Sequence, residues 1–283
     1  MTIIDTHLHL VDLGRLRYPW LDEVPLLNRT FTLQEYLREA APAGITAMLH
    51  MEVDVAEADM EAETALVTSI GTPVIGAIAA CRPENADFEA FFERVGANPA
   101  VKGFRRVLHT GAHEQIGTAR FIRNIGLLAR SGHPFDFCVS PRHIPLVRAL
   151  AKACPDVQFV LDHCGMPDIK GREYQPWDGH VRELAQLPNV ACKISGVIAY
   201  ADPQNWSVDD LRPYVEHCIE CFGWDRVVWG SDWPVCTKTA GLSRWVAATH
   251  ELTAGASSSE KARLLSENAR RIYRLPREGG TAA

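Results

Sequence analysis

Short apolar runs, each followed by an amphipathic stretch, recur eight times along the 283-residue chain. The runs are rich in Val, Ile and Phe and lack apolar–polar alternation. That pattern is typical of parallel strands covered by helices on one face and by a packed interior on the other. The predicted strands are Thr2–His9, Thr46–Glu52, Val74–Ala80, Val101–Arg105, Phe135–Val139, Val157–His163, Val190–Ser195 and Val227–Asp232.

Helix-like segments with recognisable start signals lie between these runs. Thr32 and Glu35 form a capping box at the start of the first helix. Ser257 and Glu260 form a second capping box, which opens a last helix predicted to end near Tyr273. The other helices are predicted at Glu57–Ser69, Asn85–Gly96, Glu114–Ser131, Pro141–Ala153, Gly179–Gln186, Val208–Phe222 and Leu242–Thr253.

Eight strand–helix units with no break in composition predict an α/β chain folded as a single (β/α)8 TIM barrel over residues 1–275. A doubly wound open sheet is the competing fold. No glycine-rich phosphate-binding motif follows the first strand, however; histidines stand there instead. Residues 19–29 and 172–179 are predicted to be loops that cover a pocket, and residues 276–283 a disordered tail.

Composition narrows the classes of function. Lys and Arg are scattered and the formal net charge is −6, so nothing favours a nucleic-acid partner. No secretory signal is visible at the start and the longest apolar runs are strand-sized, so a cytoplasmic protein without a membrane span is predicted. The eight cysteines are then expected to be reduced, with Cys218 and Cys221 packed in a helix. A homo-oligomer is compatible with this composition.

Polar side chains collect where the predicted strands end, which is the end of an α/β barrel that carries active sites. His7 and His9 stand two apart on strand one, so their side chains point to the same side. His163 ends strand six and Asp232 ends strand eight. Each has an ordinary structural explanation alone, such as a core histidine or a turn-forming aspartate, and Lys193 reads as a side chain reaching the surface. Their clustering at one end of several strands predicts a reaction centre.

A second group of residues is suited to holding a polyol substrate. Glu52 and Arg105 end strands two and four, and Trp20 lies in the long first loop. These three are candidates for binding substrate hydroxyls and an apolar face. Ser195 and Trp233, at the ends of strands seven and eight, are further candidates.

The strand-end motifs carry a family resemblance. They resemble the amidohydrolase superfamily in its amidohydrolase-2 branch, in the same order from residue 3 to residue 275. The matching motifs are Ile4-Asp-Thr-His-Leu-His9, Asp162-His163-x-Gly165, Gly230-Ser-Asp232-x-Pro234 and the closing segment Glu267–Leu275. Tyr18-Pro-Trp20-Leu and Lys102-Gly-Phe-Arg105 look more narrowly like the subgroup of sugar lactonases, such as fuconolactonase and rhamnonolactonase, and 2-pyrone-4,6-dicarboxylate lactonase.

The resemblance implies a barrel whose reaction centre is formed by the two strand-one histidines, His163 and Asp232. Many binuclear members carry a histidine that ends strand five, where this chain has Phe135-Asp-Phe-Cys138, so a two-metal site is not expected. At most one divalent ion, zinc or another, is implied, and turnover does not necessarily require it. No organic cofactor is expected. The implied metal ligands are drawn from His7, His9, His163, Asp232 and Glu52.

These residues lead to the hypothesis that the chain hydrolyses a small sugar lactone. Asp232 is the general base that takes a proton from water. The three histidines stabilise the oxyanion, either as imidazolium donors or through a bound zinc ion. The single guanidinium of Arg105 favours a neutral polyol lactone over a dicarboxylate. Two alternatives stay open: metal-dependent, non-oxidative decarboxylation of an aromatic acid on the same barrel, and a barrel that binds without catalysis.

Overall fold

Eight parallel strands follow one another in chain order around a single sheet. The structure is a computed structural model that describes residues 2–276, so most of the predicted tail, residues 277–283, lies outside the described residues. The strands are β1 (Ile3–Leu8), β2 (Ile45–Met51), β3 (Val74–Ala80), β4 (Val101–Val107), β5 (Phe135–Cys138), β6 (Phe159–Leu161), β7 (Val190–Ile194) and β8 (Val227–Trp229). The predicted α/β barrel is confirmed.

The barrel closes between β1 and the segment that follows β8. Leu8 and Trp233 form a parallel bridge. The backbone amide of Asp232 donates to the carbonyl of His7 over 2.9 Å, and that of His9 donates to the carbonyl of Trp233 over 2.8 Å. This pairing brings the end of strand one against the end of strand eight, which places the two histidines beside Asp232.

Helices cover the outside of the sheet, and two predicted caps are present. The Thr32 side chain accepts from the amide of Glu35, and Ser257 and Glu260 form a reciprocal capping box. The helices are α1 (Leu33–Ala40), α2 (Met60–Thr68), α3 (Phe88–Gly96), α4 (Ala119–Gly126), α5 (Ile144–Ala153), α6 (Trp177–Ala185), α7 (Val208–Phe222), α8 (Leu242–Leu252), α9 (Ser258–Ala262) and α10 (Asn268–Ile272). A π-helical turn, Arg263–Glu267, joins the last two.

The structure differs from the predicted elements in three places. The helix predicted over Glu114–Ser131 is interrupted, because the Thr118 side chain accepts from the amide of Phe121 and so begins α4 there. Strands β6 and β8 end before His163 and Asp232, since both residues have left-handed backbones, with φ of 55° and 57°. These two residues therefore lie on turns after the strands, not on the strands themselves.

The packed interior of the barrel includes the C-terminal helix. Ile4, Leu49 and Val228 are completely buried there, together with Ile272 and Tyr273 from the end of the chain. All eight cysteines are unpaired, and all but Cys221 are buried. Within residues 2–276 we find no helix with both the length and the apolar character needed to cross a bilayer.

Candidate active site

A cavity of about 320 Å³ opens where the strands end. Five predicted site residues line it, together with residues from other strand ends and loops. The predicted ones are His9, Arg105, His163 and Asp232, and the predicted loop residue Trp20 joins them. The other lining residues are Val53, Asp54, Val107, His109, Thr110, Cys138, Met166, Tyr200, Val235 and Lys238.

The buried carboxylate of Asp5, on strand one, holds the turn that carries Asp232. One oxygen of Asp5 accepts from the amides of Ser231 (2.8 Å) and His7 (3.0 Å), and the other accepts from the Tyr36 hydroxyl (2.6 Å). Asp5 thus ties β1 to the turn that carries Asp232. Burial raises the pKa of Asp232 to about 6, against the lowering influence of His163 and Arg105. A carboxylate with such a pKa can exchange a proton near neutral pH.

The histidines of the centre are neutral at neutral pH. Burial lowers the pKa of His9 to about 3, lowers that of His163, and brings that of His7 well below its usual value. Burial therefore disfavours the predicted role of these rings as imidazolium donors. The guanidinium of Arg105 lies 3.2 Å from Nε2 of His7 and is a cation that lines the cavity.

The turn after β6 aims His163 at the cavity. Nδ1 of His163 lies 2.9 Å from the hydroxyl oxygen of Ser195, which orients the ring. Gly196 follows with φ of 65°, and a Cβ there would lie 2.4 Å from Nδ1 of His163 and 2.8 Å from the Asp232 carboxylate. Only glycine allows the two side chains to approach each other at this point.

Arg105 extends from β4 into the centre as a buried cation. Its Nε donates to the carboxylate of Glu52 over 2.7 Å, and one terminal nitrogen donates to the Glu52 carbonyl over 2.6 Å. The other terminal nitrogen lies 3.2 Å from Nε2 of His7 and 3.4 Å from the Asp162 carboxylate. These four contacts leave at least one of the five N–H bonds without a partner inside residues 2–276. Because Arg105 also lines the cavity, this N–H bond is a candidate donor to a ligand there.

Three residues predicted to bind substrate lie behind the cavity wall. Both oxygens of Glu52 are used, by Arg105 and by the amide of Asp54, so Glu52 positions Arg105. Ser195 is fully buried against His163. Trp233 packs away from the cavity, with its ring 5.4 Å from that of Phe31. None of the three lines the cavity, and each side chain contacts a neighbouring protein group, so direct contact with substrate stays a prediction for them.

Other functional residues were missed or misread in the sequence. Lys193 does not reach the surface: it is completely buried, and its ammonium lies 3.0 Å from the Asp162 carboxylate. Asp162 directly precedes His163 in the Asp162-His163-x-Gly165 motif, and that motif is the sequence signal that could have identified it. Tyr200 and Lys238 lie in short helical turns after β7 and β8, and nothing in the sequence singles them out.

The donor set of the centre fits one divalent ion. One atom each of His7, His9 and Asp232 lie within 4.8 Å of one another. Since Nδ1 of His9 contacts the Met51 carbonyl (2.9 Å), that nitrogen carries the proton, and the Nε2 lone pair faces the Asp232 carboxylate over 3.3 Å. These two atoms, a histidine nitrogen and a carboxylate oxygen, are both ligand types that zinc binds. Glu52 does not join them, because Arg105 occupies it.

The amidohydrolase family model matches residues 4–275 of this chain. The chain belongs to the amidohydrolase family. The prediction of an enzyme of the hydrolase type is thereby confirmed. The reaction centre described above lies on the strand ends that this match spans, from His7 to Asp232.

Two relatives and one solved structure illustrate the similarity. An L-fucono-1,5-lactonase of Burkholderia ambifaria is 32% identical over 205 residues, which cover 70% of this chain and 69% of that protein. An L-fucono-1,5-lactonase of Burkholderia multivorans is 29% identical over 294 residues, 96% of each chain. The crystal structure of an amidohydrolase from Burkholderia multivorans with bound zinc has a TM-score of 0.87 and 26% identity, and covers 98% of this chain and 100% of that one.

Proposed function

We propose that this amidohydrolase hydrolyses a small sugar lactone, with Asp232 as the general base. The observation that carries the proposal is the pairing of a buried carboxylate, whose pKa is raised to about 6, with a buried guanidinium in one cavity. A base and a cation on the same cavity wall are what attack of water on an ester carbonyl needs. The names of the two relatives support a lactone as the ester.

In this mechanism Asp232 takes a proton from water as the water oxygen bonds to the lactone carbonyl carbon. The free N–H of Arg105 donates to the carbonyl oxygen as it becomes negative, and neutral His163 is a second donor or acceptor at the same wall. The bond between the carbonyl carbon and the ring oxygen then breaks. The leaving alkoxide takes the proton back from Asp232, which gives an open hydroxy acid.

A divalent ion held by His7, His9 and Asp232 would supply Lewis-acid polarisation of the carbonyl. A lactone is an activated ester, so we propose that turnover does not depend on that ion. Asp232 and Arg105 supply the base and the cation from the chain itself.

The cavity suits a neutral polyol. Trp20 is fixed by a 2.8 Å hydrogen bond from its indole nitrogen to the Val53 carbonyl, so one of its faces can cover an apolar sugar face. Asp54, Thr110 and Tyr200 offer hydroxyl and carboxylate partners on the other walls. The mixture of an aromatic face and scattered polar groups supports a sugar lactone over a flat aromatic acid.

The test is a pH-indicator assay of the purified protein on a panel of aldonolactones of both ring sizes, with and without prior chelation. We expect acid release on at least one lactone, and we expect it to survive chelation. Activity that disappears with the chelator and returns with zinc would keep the lactonase and refute its metal independence. Absence of hydrolysis on the whole panel, with carbon dioxide released from hydroxybenzoates instead, would refute the proposed function.

A further inference from the structure

The closing segment Glu267–Leu275 contributes nothing to the cavity, yet its last aromatic residue contacts the polar interior of the barrel. Tyr273 is completely buried, and its hydroxyl donates to the Asp136 carboxylate over 2.7 Å. Asn268 holds the start of α10, because its amide donates to the carbonyls of Trp224 (2.7 Å) and Val227 (2.8 Å). The helix is thereby fastened below β8, with Tyr273 directed inwards.

Lys193 continues this contact towards the reaction centre. Its ammonium lies 2.6 Å from the same Asp136 oxygen that accepts from Tyr273, 3.0 Å from the Asp162 carboxylate and 3.3 Å from Nδ1 of His7. All of these side chains are completely buried. An ammonium between two carboxylates in a completely buried region holds both of them in place, because neither is exposed to solvent as an alternative partner.

The position of the proton on His7 follows from its two neighbours. Arginine can only donate, so Nε2 of His7, which lies 3.2 Å from the Arg105 guanidinium, must be the accepting nitrogen. The three N–H bonds of the Lys193 ammonium have oxygen acceptors in Asp136, Asp162 and the carbonyl of Thr6 (3.4 Å), so its approach to Nδ1 of His7 does not require a hydrogen bond to that nitrogen. The ring proton is then on Nδ1, 3.5 Å from the Asp162 carboxylate. Asp162 therefore determines the tautomer of His7, and Lys193 fixes the position of the Asp162 carboxylate.

We propose that Lys193, with Asp136 and Tyr273, is a positioning group for the reaction. It anchors Asp162 so that His7 keeps its proton on Nδ1 and presents the Nε2 lone pair to Arg105. The contacts run without a gap from the C-terminal helix to Arg105, the proposed oxyanion donor. The expected effect of this group on turnover rests on the proposed function. The tautomer of His7 does not depend on any substrate.

The test compares Tyr273→Phe, Lys193→Met and Lys193→Arg with Tyr214→Phe. Tyr214 is a matched control, because it too is a buried tyrosine, but its hydroxyl contacts only loop carbonyls 3.5 Å away. Tyr273→Phe removes one hydroxyl far from the cavity, so it remains informative if Lys193→Met does not fold. The readouts, on chelator-treated protein, are the ¹⁵N spectrum of His7 and the kcat and KM of the best lactone.

We expect Tyr273→Phe to lower kcat about tenfold, the loss of one buried hydrogen bond, with KM within about twofold. Lys193→Met lowers kcat on the order of 100-fold, and Lys193→Arg recovers part of that loss. In the Lys193→Met variant the ¹⁵N signals of His7 change from one tautomer to a mixture. Tyr214→Phe leaves every readout unchanged.

Folded Tyr273→Phe and Lys193→Met proteins with wild-type kcat would overturn the proposal. So would reduced thermal stability in both variants with the His7 tautomer unchanged, since that result assigns the group a structural role alone. If the wild-type protein hydrolyses no lactone while Lys193→Met still changes the His7 tautomer, the proposed function fails and the positioning role stands.

Discussion

The proposed role of Asp232 as the base rests on where its carboxylate lies. It is almost completely buried, one of its oxygens has no hydrogen-bond partner among residues 2–276, and the other lies 3.3 Å from an accepting nitrogen of His9. Burial and a facing lone pair both disfavour the ionised form, whereas the cationic Arg105 favours it. The balance keeps the carboxylate ionised at neutral pH and close enough to its pKa to accept a proton.

The raised pKa of Asp232 predicts the acid limb of the pH profile. The base must be ionised, so kcat/KM of the chelator-treated enzyme should fall as the pH drops through about 6, by about tenfold per pH unit below that value. Above it, kcat/KM should be constant until another group titrates. The profile is measured on a neutral lactone, so that the substrate itself does not titrate. A profile that stays flat well below the pKa of Asp232 would contradict this assignment.

Single residues were predictable when a motif carried them. His9, His163 and Asp232 line the cavity, because their motifs place them where strands of the barrel end and active sites collect. Lys193 and Trp233 were misplaced, since the direction of a side chain after a strand end depends on packing that one sequence does not reveal. Burial of a lysine in particular depends on Asp136 on β5 and Asp162 in the turn after β6.

The elements that matter most are the turns after β6, β7 and β8. Strand prediction extended β6 and β8 through His163 and Asp232, because both residues follow apolar runs directly. In the structure both have positive φ, which directs each side chain into the cavity. Glycines make room for these turns: a Cβ on Gly230 would lie 2.6 Å from the Cβ of His7.

A pair of glycine substitutions tests this dependence. Gly230→Ala should lower the free energy of unfolding by about 1–3 kcal/mol and kcat by more than about tenfold, because the new methyl group displaces His7. Gly126→Ala is the control: it lies in α4 with open space around it, and it should raise the free energy of unfolding by about 0.5–1 kcal/mol with kcat unchanged. Urea unfolding and steady-state kinetics measure both quantities. Wild-type activity in Gly230→Ala would show that the close approach to His7 is not needed.

At the scale of the whole molecule, the barrel collects chemistry from distant parts of the chain. Asp5 on β1 holds the turn after β8, 226 residues away, and Tyr273 in the C-terminal segment contacts Asp136 on β5. The eightfold strand–helix alternation was sufficient to predict the barrel, since each unit carries its own apolar pattern. The polar network inside it was not predictable, because it depends on which interior side chains face one another once the barrel has closed.

The proposed mechanism depends most on Asp232, and the most direct measurement is the steady-state hydrolysis of the best lactone by Asp232→Asn beside wild type, after chelation. Asparagine keeps the shape of the side chain and removes the base. We predict that kcat falls by about 10²- to 10⁴-fold with KM changed little, in a protein that unfolds at the wild-type temperature or above. Near-wild-type kcat in a folded Asp232→Asn protein would contradict the assignment of Asp232 as the general base.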